Sequence, residues 1–286
     1  MPELPEVEVL VRHLDPVLRN KTIHAVRVRR AKVIAPTSVR ALTRALRGAK
    51  FAGVSRRGKY LVFDLRTARP ARPLMLLGHL GMTGRMYLLP VKSPLPKHAA
   101  VILNVGRTNF VFEDTRYFGR LTLDPGAVGR LGPEPLSAQF TVRGFVRALD
   151  RSRQPIKVKL LDQSLVAGIG NIYASEALFR AGIAPTLPAR ELTPAQAARL
   201  WRAIRRVLRE AIECGSTVPL NYAGAGLSDG LFYFGRAPGT PDFYEERLRV
   251  YDRAGRPCYK CGTAIKRRVQ AARSTFYCPR CQRGEP

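Results

Sequence analysis

The sequence has no apolar run long enough to cross a bilayer, and its first residues lack the apolar core of a secretory leader. A membrane-spanning or exported protein is therefore not expected, and the cytoplasm is the expected location. Acidic residues are scarce. Twenty-one Asp and Glu stand against 49 Lys and Arg, which leaves a net charge of +28. The cations are spread along the chain rather than gathered in a tail, so a folded surface must carry them. Such a surface calls for a polyanion, nucleic acid first and an anionic membrane second, and no amphipathic anchor supports the membrane. Arg outnumbers Lys 39 to 10, which suits bidentate phosphate contacts but also follows from genome composition. Histidine is rare: His13, His24, His79 and His98 are all there are, and none lies near a cysteine pair.

At 286 residues the chain is long enough for two domains with sizeable cores. The leader reads Met1-Pro2-Glu3-Leu4-Pro5-Glu6-Val7-Glu8. If Met1 is trimmed, Pro2 becomes an N-terminal secondary amine, and an α-amino group titrates at about 8 rather than above 10. A partly neutral amine can attack an aldehydic carbon and form a Schiff base, with Glu3 beside it to move protons. Taken alone, the same residues read rather as a stiff, solvated leader. Residues 5–19 show helical periodicity. Residues 22–124 are mostly short strands, at 22–30, 49–56, 59–65, 74–80, 85–89, 99–105, 109–113 and 120–123, with one helix at 38–47 and a hairpin turn at Gly106. Many short strands with Gly and Pro turns predict a β-sandwich or barrel.

Residues 124–140 are rich in Pro and Gly and read as a linker. Beyond them the period becomes helical, near 141–150, 155–163, 172–181 and 193–213. The last helix opens with a capping-box pattern at Thr193 and Gln196, and Arg199, Arg202, Arg205, Arg206 and Arg209 line its polar side. That ladder reads as a solvated face or as phosphate contacts. The turn Gly168-Ile169-Gly170-Asn171 exposes backbone N–H groups that could hold a phosphate. No strand precedes it and no Walker lysine follows, so it is no P-loop. Residues 214–246 read as a long aromatic-rich loop. Cys258-x2-Cys261-x16-Cys278-x2-Cys281 has the spacing of a four-cysteine zinc site; a redox pair is the weaker reading, and Cys214 stands apart.

Three further stretches gain meaning only together. They are Gly58-Lys59-Tyr60, the loop His79-Leu80-Gly81-Met82-Thr83-Gly84, and Arg116-Tyr117-Phe118-Gly119. With Pro-Glu-Leu-Pro-Glu at the start, Gly168–Glu176 in the middle and Arg273–Cys278 at the end, they run in the order found in bacterial formamidopyrimidine-DNA glycosylases. The chain resembles that family, within the superfamily shared with endonuclease VIII, over nearly its whole length.

The resemblance implies an α+β protein. An N-terminal β-sandwich with flanking helices (1–133) would precede a helix–two-turn–helix region (134–246) and a zinc-finger hairpin (247–286). It implies a bifunctional glycosylase and AP lyase acting as a monomer on damaged double-stranded DNA, with the duplex in a basic cleft and the lesion flipped out. Pro2 would attack C1′; Glu3 and Glu6 would manage protons and the opened sugar; Lys59 would contact the backbone beside the lesion. Met82, Arg116 and Phe118 would fill the space the base leaves. Lys157, Asn171 and Arg273 would grip phosphates. Cys258, Cys261, Cys278 and Cys281 would hold one structural Zn2+.

The sequence departs from the family pattern in two places. Thr115 and Tyr117 stand where Pro and Arg are expected. The segment Val218–Gly224 lacks the usual Leu-Arg-Asp-aromatic run of the lesion-capping loop. Leu4 and the His79–Gly84 loop favour oxidised purines such as 8-oxoguanine and formamidopyrimidines. Oxidised pyrimidines are the alternative, and a non-catalytic nucleic-acid-binding protein with a structural zinc is a second.

Overall fold

The computed structural model describes residues 2–67, 72–215 and 247–283. The expected loop at 216–246 and the state of Met1 lie outside the described residues. The described residues form two compact units, the first built mainly from those of 6–129 and the second from Glu3–Pro5 and the residues of 130–215 and 247–283.

The first unit is a β-sandwich. Helix α1 (Leu4–Leu18) is followed by β1 (Ala25–Val28), a 3-10 turn at Ala31–Ile34, and α2 (Val39–Leu46). Strands β2 (Lys50–Arg57), β3 (Tyr60–Arg66), β4 (Pro73–His79) and β8 (Arg120–Thr122) pair in the order β2-β3-β4-β8. The other sheet orders β1-β6-β7-β5, with β5 at Gly84–Pro90, β6 at Ala99–Asn104 and β7 at Thr108–Asp114. All pairings are antiparallel. Val7, Leu10, Leu14 and Leu18 repeat at helical spacing on α1 and share one core with inward residues of both sheets. Phe63 of β3 meets Phe110 of β7 edge to face at 5.4 Å, which joins the two layers. Each such side chain, fully buried, contributes about 1.5–3 kcal/mol.

A single turn, α3 (Gly126–Gly129), ends the first unit's main stretch, and the second unit is helical, with α4 (Val142–Asp150), α5 (Ile156–Leu160), α6 (Asn171–Ala181) and α7 (Pro194–Glu213). The capping box at Thr193 and Gln196 forms as expected. Helix α5 is shorter than the expected 155–163. The Asp162 carboxylate takes the Ser164 N–H and hydroxyl at 2.9 and 2.6 Å, and this local turn outcompetes another helical turn. The arginine ladder of α7 is only partly a solvated face. Arg199 donates to Ala181 O at 2.7 Å, and Arg205 donates to Pro135 O and Ser137 O while lying over the Trp201 ring. Both therefore brace the unit from within. Strands β9 (Lys266–Gln270) and β10 (Arg273–Tyr277) form the C-terminal hairpin, tied to the α6–α7 connection by Gln282 Nε2 to Ile183 O (3.0 Å) and Gln270 Nε2 to Pro185 O (3.3 Å).

Candidate active site and nucleic-acid interface

The Glu3 carboxylate sits at the N-terminus of α6. It accepts the N–H groups of Gly170 (2.6 Å), Ile172 (2.9 Å) and Tyr173 (3.4 Å). The glycine turn is thus filled by a side chain of the protein's own leader rather than left open for a phosphate. The physics is the same: orphan N–H groups and the positive end of the helix dipole favour an anion. The helix has no cap from its own N-cap residue, Gly170, because Glu3 supplies it across 167 positions of sequence. A methyl group at position 170 would overlap the Glu3 carboxylate, so the approach requires glycine. Leu4 N–H bonds Gly168 O at 3.0 Å and fixes the leader in register. Pro2, the preceding residue, is buried, and Glu6 is fully buried on the first turn of α1.

Behind the turn, Lys157 is fully buried. Its ammonium donates to Asn171 Oδ1 (2.5 Å), Thr275 Oγ1 (2.8 Å) and Ser274 O (3.0 Å), which uses all three donors. Burial, with the Arg273 charge nearby, lowers its pKa to about 8, while the Glu3 charge pulls the other way. Asn171 Nδ2 also donates to Ser274 O at 2.9 Å. The structure therefore gathers Glu3, Lys157 and Asn171 and joins them to β10, with Arg273 exposed at the start of that strand. Of these, Lys157 is a brace whose donors are spent within the chain.

Met82 and Phe118 project from the first unit, 45% and 49% exposed, values that set them apart from a sandwich core. Buried Asp114 builds both of their loops. One carboxylate oxygen takes Thr83 Oγ1 (2.5 Å) and the Arg116 N–H (3.1 Å), and the other takes the Gly119 N–H (2.7 Å). Gly81, at φ +62°, lies so close to Phe118 and Gly119 that a Cβ would collide with their backbone. The Arg116 guanidinium lies 4.8 Å from the Phe118 ring centroid. Met82, Arg116 and Phe118 thus form one rigid, exposed apolar and cationic tip. His79, at the root of the first loop, accepts the Gly81 N–H on Nδ1 at 3.0 Å and meets the Tyr60 ring at a tilt, centroids 4.8 Å apart. Burial and the Lys59 and Arg120 charges hold its pKa down to about 4, so it is neutral at physiological pH. Lys59 itself is largely buried at the start of β3.

The Cys258, Cys261, Cys278 and Cys281 sulfurs all lie within 4.8 Å of one another, with Cys258–Cys281 at 3.9 Å and Cys261–Cys278 at 3.5 Å. Tetrahedral zinc with Zn–S bonds of about 2.3 Å sets its sulfurs about 3.8 Å apart, so the set fits. The Lys260 and Cys281 N–H groups point at Cys258 and Cys278 Sγ, each at 3.4 Å, as suits thiolate ligands. Four protein ligands close the coordination shell, and the zinc is structural. Redox pairing of the cysteines has no support in this arrangement.

Two functional residues escaped the sequence reading. Asp114 carries no motif, since an acid at a strand end is common. Glu176 is the lone carboxylate on a helix buried on almost every side, and that misfit was a usable signal. It is fully buried and takes the N–H groups of Arg249, Val250 and Tyr251, each at 2.9 Å, so it fixes where the chain enters the zinc hairpin. Burial raises its pKa despite these bonds.

Family models match in three segments: the formamidopyrimidine-DNA glycosylase N-terminal domain over residues 1–121, the H2TH domain of the same glycosylase over 131–220, and a zinc finger found in FPG and IleRS over 255–284. A formamidopyrimidine-DNA glycosylase of Thermus thermophilus is 43% identical across 99% of this chain and 98% of its own. Lactococcus lactis Fpg, solved with DNA containing an abasic site, superposes with a TM-score of 0.86 at 30% identity, covering 98% of this chain and 99% of that one. The wild-type Lactococcus lactis enzyme solved with DNA containing N7-benzyl-Fapy-dG gives the same TM-score and identity, covering 99% and 100%.

Proposed function

The chain belongs to the formamidopyrimidine-DNA glycosylase family, and from that premise we propose that it excises oxidised purines, 8-oxoguanine and formamidopyrimidines, from duplex DNA and then cleaves the strand as an AP lyase. The observation that carries this reading is the Glu3 carboxylate, locked by three backbone N–H groups directly beside Pro2 in the chain. With Met1 removed, the Pro2 amine attacks C1′ of the flipped nucleotide. The N–C1′ bond forms, the glycosidic bond breaks, and the base leaves with the bonding pair and a proton. The C1′–O4′ bond then breaks with O4′ taking a proton, and the ring opens to an iminium that acidifies the C2′ proton, so β-elimination breaks the 3′ C–O bond, and δ-elimination then breaks the 5′ one. Glu3 and Glu6 serve as the proton-handling carboxylates. The backbone N–H groups fix Glu3 in one pose, aimed to stabilise positive charge on the sugar.

Met82, Arg116 and Phe118 occupy the gap in the duplex, and Asn171, Arg273 and Lys59 contact its backbone. Lys157 supports Asn171 from behind. No residue among these needs a catalytic metal. We assign the sandwich to 1–133, the helix–two-turn–helix region to 134–246 and the zinc hairpin to 247–286, acting as a monomer at the nucleoid in the cytoplasm. The purine preference rests on Leu4, on the His79–Gly84 loop and on relatives that are formamidopyrimidine-DNA glycosylases.

Borohydride trapping tests the reading. An adduct through residue 2 is expected on a duplex carrying 8-oxoguanine opposite cytosine, and much less on one carrying an oxidised pyrimidine. An adduct on the pyrimidine duplex alone would keep the mechanism and reverse the preference. No adduct on either would remove the assignment.

Gly170→Ala tests the Glu3 pose. The added methyl displaces the carboxylate, and a misplacement of about 1 Å costs on the order of 10²-fold in rate. Single-turnover excision should fall by that order, while binding to a tetrahydrofuran abasic-analogue duplex persists. An unchanged excision rate would show that the cap is merely structural.

A further inference from the structure

Tyr117 stands where the family resemblance leads one to expect arginine, yet its surroundings restore a cation at that place. Its backbone is left-handed, at φ +53°, and its half-buried side chain packs against the sandwich core. The Arg30 guanidinium lies over the Tyr117 ring, 5.2 Å from its centroid, and Arg30 Nε donates to the Tyr117 hydroxyl at 3.2 Å. The His98 ring stands on the other side of that hydroxyl, with Nδ1 at 3.4 Å. Arg30 lies two residues past β1, just before the 3-10 turn at Ala31–Ile34, and is exposed. No other hydrogen bond to its guanidinium occurs among the described residues. One edge of the guanidinium is thus pinned and one face is stacked, while both terminal amino groups remain open. A fork held in this way loses little freedom on meeting an oxyanion, and it matches two phosphate oxygens at once.

We propose that Arg30 is a DNA-backbone contact of the Met82/Phe118 tip, a cation supplied from the segment after β1 and held against the tip's own loop by Tyr117. The inference rests on the reading that this tip enters damaged DNA. A phosphate gripped beside the tip would fix the register in which Met82 and Phe118 meet the gap. Tyr117 is then a positioning residue, acting through Arg30. A solvent-exposed guanidinium merely bracing the loop would give the same static contacts, so the test must read charge and not stability alone.

The probe is a tetrahydrofuran abasic-analogue duplex, with affinity measured from low to moderate salt. Arg30→Ala should weaken binding about tenfold at 0.1 M salt, and the slope of log K against log salt should shrink by about 0.9 through loss of one phosphate contact. Arg30→Lys should keep the slope but bind more weakly, because charge survives and the fork does not. Tyr117→Ala should weaken binding on its own and add little in the Arg30→Ala background. Weaker binding with an unchanged slope in Arg30→Ala would reduce Arg30 to a loop brace and overturn the proposal, as would unchanged affinity. Additive losses in the double variant would overturn the role of Tyr117. Borohydride trapping by the wild-type protein runs alongside; if it fails there, the underlying functional reading falls and this inference with it.

Discussion

Pro2→Gly is expected to leave damaged-DNA binding intact and to remove most excision and strand cleavage. The substitution keeps an N-terminal amine, so the prediction turns on what proline alone supplies. A secondary amine condenses with C1′ to an iminium that has no N–H to lose, so the intermediate stays cationic throughout the eliminations. A primary amine gives an imine that can shed its proton and its electron-withdrawing power. The pyrrolidine ring also fixes the amine's direction, whereas glycine at a chain terminus samples many. Loss of near-attack geometry alone is worth on the order of 10²-fold, and loss of the obligatory cation adds to it. Glu3 and the α6 cap are untouched by the change, as are Asn171 and Arg273, so affinity for a tetrahydrofuran duplex should hold. Single-turnover excision of 8-oxoguanine and the borohydride adduct are the readouts, with intact mass showing that residue 2 is the N-terminus. Wild-type turnover in that variant would sink the Pro2 assignment outright.

The sequence was most informative where one short segment carries both the constraint and the chemistry. Periodicity placed α1 and the strand set within a few residues, because Val7, Leu10, Leu14 and Leu18 or the alternating residues of β3 answer to one core. The cysteine spacing located the zinc site, since two knuckles are local objects. What stayed hidden was long-range pairing of polar groups. Nothing near Gly170 says that its N–H will meet a carboxylate from residue 3, and an open anion site was the natural expectation. Lys157 is expected to grip a phosphate, yet its ammonium is spent on Ser274 and Thr275, more than a hundred residues away. Arg199 and Arg205 look like their ladder neighbours until the carbonyls of Ala181, Pro135 and Ser137 are placed opposite them. Glu176 and Asp114 share this character. Each is a buried carboxylate spent on backbone N–H groups, and only the folded chain shows which.

Removing zinc is expected to abolish DNA binding, and the route runs through Lys157. Without metal the four thiolates repel, and the hairpin loses a binding free energy that is about 10–16 kcal/mol for structural zinc in isolated fingers. Gln282 joins the site to the rest of the unit, taking the Cys278 N–H on Oε1 at 2.9 Å and donating to Ile183 O. Once β10 frays, Ser274 O and Thr275 Oγ1 leave Lys157, and a fully buried ammonium keeps Asn171 as its one partner among those three. An unsatisfied buried charged donor costs several kcal/mol, so Lys157 must move or lose its proton. Either outcome releases Asn171, whose side chain is held by Lys157 and Ser274 together, and disperses the proposed phosphate contacts of Asn171 and Arg273. The sandwich core, built from other residues, should survive. A chelator titration should therefore show a low-temperature transition confined to the second unit and at least a 10²-fold loss of affinity for the tetrahydrofuran duplex, both restored by added zinc. Cys278→Ser should reproduce the loss without chelator. Full affinity in metal-free protein would mean that Lys157 and Asn171 keep their places without the hairpin, and the coupling argued from their shared acceptors would be wrong.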